Sequence, residues 1–424
     1  MKPRLRLLLA ACCVALLAGC DNDDDDDIVA PPAPEPVQTE PVNGSGVKGP
    51  LAGAVVELYA IDLAQANIQG ELIDDGSTGP DAAIQDLAVP ADTTGKVLLL
   101  FVVDDDTTDL TTGAAPLFDS LTTVVEAQRL IDGESVYASP LTTMAVDLAV
   151  AKGDSGSPYA GNGDGTLDEA EFAAALDVAQ GQVKSTLGFG MDSTIDIFTV
   201  PPLLTNDTDT ADEQGDVAAY RQAIEAVTAI SAQIAADVEA AGGTASAQDA
   251  FNALTEDLTD GDLDGESEAG PIETVASLAE GELETIVTQD VTTLTIPGTE
   301  TPIGEIESVL AAETADTGAE TDTTDLESGA VSVDPEPAET ETDIDGDGVS
   351  DSADAFPSDP TETVDTDGDE VGDNSDAFPE DPTETADGDG DGVGDNADQF
   401  PDDPTRTAPG GVWDESNWDE VDWQ

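Results

Sequence analysis

Asp387-Gly-Asp389-Gly-Asp391-Gly-Val393-Gly-Asp395-Asn-Ala-Asp398 is the clearest of three copies of one motif, and its reading decides how the last part of the chain folds. The same register begins at Asp343 and at Asp365, a period of 22 residues. A fixed period marks a repeat array, whereas a solvated charge run has none. Each copy leads into Phe-Pro, at 356–357, 378–379 and 400–401, and then into Asp-Pro-Thr. Numbered as a twelve-residue loop, each copy carries carboxylates at positions 1, 3, 5, 9 and 12. The candidate metal ligands are therefore Asp343, Asp345, Asp347, Asp351 and Asp354 in the first copy; Asp365, Asp367, Asp369, Asp373 and Asp376 in the second; and Asp387, Asp389, Asp391, Asp395 and Asp398 in the third. Ca²⁺ seeks about 6 to 8 hard oxygen ligands at about 2.3–2.6 Å, which such a loop supplies together with a main-chain carbonyl at position 7. Mg²⁺ demands a rigid octahedron and keeps its water, and transition metals find neither imidazole nor thiolate here. Glycine at position 6 permits the sharp turn, and Glu370 replaces it in the second copy, which puts the affinity of that site in doubt.

Outward from the repeats, the whole chain of 424 residues is acidic, with 95 Asp plus Glu against 10 Lys plus Arg and a net charge of −85. Nucleic acid is excluded as a partner, because phosphate binding needs clustered basic residues. The chain has no histidine, which removes the commonest general acid–base and the commonest zinc ligand together. No catalytic residue is assigned, and the protein is expected not to be an enzyme. Between Asp343 and Asp398 there are 21 acids and no Lys or Arg, so compaction there requires cations.

At the other end, Lys2, Arg4 and Arg6 precede an apolar run from Leu7 to Leu17, too short to span a bilayer, which takes about 20 residues. Residues 1–19 therefore read as an export signal. Leu17-Ala18-Gly19-Cys20 resembles the lipobox of bacterial lipoproteins, which implies lipidation of Cys20 and a membrane anchor. Cys12 and Cys13 lie within the signal, leaving no thiol for disulfides or catalysis. Residues 20–43, acidic and then Pro-rich, are expected to be an extended tether. An Asp beside the lipidated Cys is similar to an inner-membrane retention signal of enteric bacteria, and acidic runs there are similar to surface-export signals elsewhere. Outer membrane or cell surface, and inner membrane facing the periplasm, thus remain open.

The body is expected to be mixed and multi-domain. Turn residues followed by apolar alternation predict strands over Val47–Tyr59, Lys96–Val103, Leu117–Val125 and Glu134–Ala138, hence a small β-sandwich over 44–139. Apolar spacings of three and four at Val217, Tyr220, Ile224, Val227, Ile234 and Val238 predict a long helix between Asp212 and Ala241. Shorter helices are expected over 141–152, 168–187, 247–258 and 272–287, giving an α-helical bundle over 140–312. Residues 313–342, rich in Thr, Glu, Asp, Ala and Pro, read as a disordered linker to the irregular repeat rod at 343–407. A Trp-containing acidic tail closes the chain at 408–424, and its three evenly spaced tryptophans suggest a docking segment.

Two further loops have cation-binding character. Asn162, Asp164, Asp168 and Glu171 match an EF-hand loop at positions 3, 5, 9 and 12, but position 1 would be Ala160; the alternative is a turn in which Asp168 caps a helix. Asp260-Gly-Asp262-Leu-Asp264-Gly265 opens in the same way, but Pro271 falls at position 12, and it reads as an inter-helix turn.

The repeat strongly resembles the bacterial form of thrombospondin type 3 repeats, which implies a calcium-wrapped rod ligated by the Asp residues named above. Animal members of that family carry disulfides, and this chain has none to offer there. Lys48–Tyr59 resembles the first strand region of carboxypeptidase-regulatory-like and other Ig-like domains of exported proteins. Ser139–Met144, Leu187-Gly188-Phe189 and Asp260–Gly265 together look like a recurrent type of Gram-negative lipoprotein. The expected function is a lipid-anchored envelope protein binding Ca²⁺, with a structural, adhesive or surface-interaction role toward a protein or glycan. The alternatives are an envelope hydrolase or carbohydrate-active enzyme using paired carboxylates, and a periplasmic calcium-binding scaffold.

Overall fold

The structure is a computed structural model that describes residues 38–406 apart from 157, 160, 268, 280, 334, 346–348 and 352. Cys20, the export signal, Asp347 and the tryptophan tail lie outside the described residues. The fold is mixed. A five-stranded antiparallel sheet has the order β10 (Ser120–Glu126), β8 (Lys96–Val102), β4 (Val55–Ile61), β5 (Gln69–Thr78) and β6 (Ile84–Gln85). Leu121 pairs with Phe101, and Leu58 with Leu99. In β4 the alternation expected of a half-buried strand holds, with Val56 and Leu58 inside. In the central β8, Val97, Leu98 and Leu99 are buried in succession, so both faces of the sheet are covered there.

A sandwich over 44–139 would set a second sheet against this one. Among the described residues the remaining strands form only two-stranded ladders: β1 (Thr39–Pro41) with β7 (Ala88–Pro90), β2 (Asn43–Gly46) with β11 (Ser135–Ala138), and β3 (Leu51–Ala52) with β9 (Thr108–Asp109). A fourth ladder, β12 (Glu266–Ser267) with β13 (Gly270–Pro271), lies later in the chain. The β2–β11 pair is parallel, and Gly44 is required in it: at φ 139° its Cβ would stand 1.7 Å from the Val136 carbonyl oxygen. Helix α1 (Ala127–Ile131) follows β10, and α2 (Pro140–Lys152) packs on the sheet. There the Thr122 N–H donates to Thr143 Oγ1 at 2.9 Å, and Thr142 Oγ1 donates to the Thr122 carbonyl at 2.8 Å. Leu141 to Val146 are buried without a break, and the helix first meets solvent at Asp147.

Helices α3 (Glu169–Leu187), α4 (Ala211–Ala240) and α5 (Ala247–Asp257) run close to their expected limits. All six apolar positions quoted for the long helix are buried, and its start is held by a reciprocal Thr210–Glu213 cap. The helix expected over 272–287 shrinks to α6 (Glu282–Val287), because Gly281 adopts a left-handed φ of 75° immediately before it. Two boundaries are corrected. The tether expected to end at residue 43 is already structured at Thr39–Pro41, and Val42 is buried. The linker expected over 313–342 instead contains the end of α7 (Ile306–Thr317) and α8 (Thr324–Ser328), with Leu326, Val331 and Ala338 buried in the core. Its few apolar residues suffice because each docks on a face left open by earlier elements. One continuous hydrophobic cluster runs from Val42 to Ala338, so sheet and helices share a core.

That core encloses charge. Lys48, after β2, lies 3.1 Å from Asp109 Oδ2 in β9 and 3.2 Å from Glu225 Oε2 in α4. Arg221 Nε donates to Glu225 Oε1 at 3.0 Å, one turn away on α4. The Arg221 guanidinium also grips Glu313 of α7 with two bonds, 3.0 Å from Nη1 and 2.8 Å from Nη2. Thr111 receives a third, from Nη2, at 2.7 Å. All five charged residues are at most 5% exposed. Gly49 admits Asp109 to Lys48, since a Cβ there would meet Asp109 Oδ1 at 1.9 Å. Burial pushes the Glu225 carboxyl above its usual range. Burial alone would lower the Lys48 pKa, but the Glu225 and Asp109 carboxylates outweigh it and hold it above its ordinary value.

Arg221→Met leaves Glu313 without its cation and Glu225 with Lys48 alone, and should cost about 3–5 kcal/mol of unfolding free energy in urea titration. The Lys48 contribution carries its own sign: the folded pKa is raised, so its stabilisation is complete below the ordinary lysine pKa of 10.5 and is lost as pH rises through the folded value. Melting followed from pH 9 to pH 12 should therefore fall more steeply for the native chain than for Lys48→Met. Equal slopes would mean that Lys48 is not paired.

Candidate metal centre

Among the described residues, groups of three acids with oxygens within 4.8 Å of one another occur in the repeats, at Asp365, Asp367 and Asp369 and at Asp387, Asp389 and Asp391. Backbone N–H groups build these clusters before any cation is considered. Asp387, at position 1, accepts from Gly390 at 2.7 Å and from Gly392 at 2.9 Å. Asp365 does the same with Gly368 at 2.7 Å and Glu370 at 3.1 Å. The loop can fold over its first carboxylate because positions 4 and 6 are left-handed: φ is 77° at Gly390 and 91° at Gly392, and 81° at Gly368 and 74° at Glu370. Position 5 then accepts from the valine at position 7, Val371 to Asp369 and Val393 to Asp391, both at 3.0 Å.

Position 12 has the same geometry in all three copies. One oxygen of Asp354, Asp376 and Asp398 accepts the N–H of Phe356, Phe378 and Phe400, two residues on, at 2.8, 2.7 and 2.9 Å. The other oxygen is buried and without a hydrogen-bond partner. Both oxygens of Asp367, and Oδ2 of Asp389 and Asp391, are likewise buried and unpartnered. Desolvation raises the pKa of Asp367 and Asp389; next in weight, for Asp367, come Asp369 and Asp376, while Asp391 and Asp398 contribute for Asp389. Position 12 in all three copies, position 3 in the second and third, and position 5 in the third thus present oxygens that lack a donor. A hard cation meets that deficit. The residues present fit Ca²⁺.

Position 9 does something else. Asp373 accepts from both the N–H and the hydroxyl of Thr366, at 2.8 and 2.6 Å, and Asp395 accepts from Gly388 N–H at 2.8 Å. Asp351 similarly accepts from Ile344 N–H at 2.9 Å and from the Thr342 hydroxyl. These carboxylates staple the loop shut at position 2. In the first copy Asp343 and Asp345 are among the described residues and Asp347 is not.

Sequence reading missed Glu362 and Glu384. Each is 6% exposed, and each accepts the N–H at position 10 of the next loop, Asn374 at 3.0 Å and Asn396 at 2.9 Å. Those asparagines answer by donating to the carbonyls of Thr361 and Thr383, at 2.6 and 2.7 Å. One repeat therefore braces the next. The signal was present as a Glu at constant offset in Thr-Glu-Thr, but an acid among 95 acids attracts no notice.

The loop at 162–171 shares this geometry. Gly163 and Gly165 are left-handed at φ 69° and 88°, Asp164 N–H donates to Asn162 Oδ1, and Thr166 N–H donates to Asp164 Oδ1, both at 2.9 Å. The absent first carboxylate is supplied from outside the loop: Asp154, just past α2, accepts from Asp164 N–H at 3.1 Å and from Gly165 N–H at 2.8 Å. Glu171 spends its oxygens on Asn162 and Asp168 N–H, each at 3.0 Å, and Asp168 caps α3. The helix-cap reading of this stretch therefore holds, and the backbone turns resemble those of the repeats.

Glu370 is a non-glycine residue at a left-handed position, which costs about 1 kcal/mol or more relative to glycine. Glu370→Gly should therefore tighten Ca²⁺ binding at the second repeat about fivefold by calorimetric titration. Asp367→Asn should abolish binding there while leaving the third repeat measurable.

No protein-family model matches the chain, and neither a curated protein nor a solved structure shows significant similarity to it.

Proposed function

We propose that the protein is a lipid-anchored, non-enzymatic component of a bacterial cell envelope whose C-terminal repeats bind Ca²⁺ and serve a structural or adhesive role. The observation that carries this reading is the pair of acid triplets in the second and third repeats, with unpartnered, buried oxygens on Asp367, Asp389 and Asp391 and at position 12. From Asp343 to Arg406 the described residues include no helix or strand, and their turns and bends are held largely by side-chain carboxylates on backbone N–H groups. Such a segment has little apolar surface to bury, and its 21 acids over 343–398 oppose compaction until cations neutralise them. Bound Ca²⁺ converts the three loops and their Glu362 and Glu384 braces into a stiff rod of thrombospondin type 3 character, standing on a body that carries its own core. Attachment falls to Cys20, and the partner of such a rod is a protein or glycan at the cell surface.

Two measurements test this. Titrating the chain with Ca²⁺ should give heats of binding, and residues 343–406 should pass from protease-sensitive in chelator to resistant in millimolar Ca²⁺, since binding and folding are one event. Once a site is saturated, each tenfold rise in free Ca²⁺ should add about 1.4 kcal/mol to its stability. Cys20→Ala should release the protein from membranes or leave its signal uncleaved. A chain with no binding heat and unchanged protease sensitivity would retain only a disordered acidic tail, and a fully processed, membrane-bound Cys20→Ala would refute the anchor.

A further inference from the structure

Helix α5 ends at Asp257, a carboxylate with no exposed surface. Its Oδ1 accepts the Gly265 N–H at 2.9 Å, so the carboxyl group faces the loop Asp260–Gly265 that closes back over it. Its Oδ2 is buried with no hydrogen-bond partner. Like charge surrounds it, since Asp264 and Asp260 are the carboxylates that act on it most. The loop turns through Gly261 and Gly265 at φ 99° and 90°, and Asp260, Asp262 and Asp264 occupy alternate positions along it. A carboxylate buried among acids, with one oxygen unmatched, must be neutralised, either by a proton or by a cation that completes it.

The same loop is the root of the repeats. Leu263 N–H donates to the Thr340 carbonyl at 2.9 Å, and Thr342 N–H donates to the Gly261 carbonyl at 3.0 Å. Asp262 and Glu341 form the antiparallel bridge between these two bonds. Asp343, the first ligand position of the first repeat, follows directly, and its N–H reaches Ser185 Oγ of α3 at 3.4 Å.

We propose that residues 257–265 form a divalent-cation site on the body, with Asp257 as the buried ligand and Asp260, Asp262 and Asp264 as the outer ones, whose occupancy clamps the first repeat to the body. This goes beyond the repeat sites and uses none of their residues. The donors are all hard oxygens, which selects the Ca²⁺ class. No three of Asp257, Asp260, Asp262 and Asp264 bring oxygens within 4.8 Å of one another as the acids of the repeats do, so occupancy requires the loop to draw inward. Closing it tightens the strand 340–342 against the loop.

The test is a calorimetric Ca²⁺ titration of the full chain against three variants: Asp257→Asn, the combined Asp260→Asn, Asp262→Asn and Asp264→Asn, and the combined Asp367→Asn and Asp389→Asn. The first two should each bind one Ca²⁺ fewer than the native chain, with the repeat sites unchanged. The third should lose the second and third repeat sites and keep the one on the body. Asp257→Asn is isosteric; if it nevertheless fails to fold, the loop variant, altered away from the core, decides. Native stoichiometry in the loop variant overturns the proposal whether or not the repeats bind, and a missing repeat signal beside a lost equivalent in the loop variant would sink the repeat reading alone.

Discussion

Two cations and three carboxylates buried in the core set the arrangement of everything around them. Lys48, Asp109, Arg221, Glu225 and Glu313 come from the segment after β2, from β9, from α4 and from α7, and their pairing brings those four elements to one place. Apolar packing alone tolerates many alignments of a sheet against a helix, because it depends on area and volume. A buried guanidinium is less forgiving: it must find planar acceptors in register, and Arg221 finds Glu313 with both ends of its fork. In a chain with only ten basic residues, committing two of them to the interior is a strong constraint. It explains why the segment after residue 312, polar by composition, folds onto the body at all.

The acidic surplus is handled differently in the repeats. There no Lys or Arg is on hand between Asp343 and Asp398, and the carboxylates are organised by backbone N–H groups, which are abundant and need no special residue. Left-handed positions 4 and 6 turn the main chain so that its donors face inward onto position 1, and the remaining acids follow. The division of labour is clear along each loop. Positions 1 and 9 spend oxygens on shaping the loop, whereas Asp367, Asp389 and Asp391 and the position 12 acids keep oxygens free of donors. The body loop at 162–171 obtains the same backbone shape with Asp154 in place of a first residue, so the geometry does not depend on contiguity.

Local pattern made much legible. The strands over 55–61, 96–102 and 120–126 and the helices α2 to α5 follow from side-chain periodicity, a property of neighbours in the chain. The missed strand β5, Gln-Gly-Glu-Leu-Ile-Asp-Asp-Gly-Ser-Thr, is the longest of the sheet, but it lacks regular apolar alternation and is rich in Gly and Asp, which are depleted in strands. It takes its place by antiparallel pairing with its neighbours in the chain, β4 and β6.

The amino-acid order by itself determined the repeat and its period, the acidic character of the chain, and the limits of the main helices. The tertiary structure decided which of 95 chemically alike carboxylates do what. Asp109, Glu225 and Glu313 neutralise buried cations, Asp154 completes a loop it does not belong to, Glu362 and Glu384 brace successive repeats, and Asp257 is left half-satisfied inside the core. The reason is physical: the role of a carboxylate depends on its distance from cations, N–H donors and water, and those distances exist only after folding.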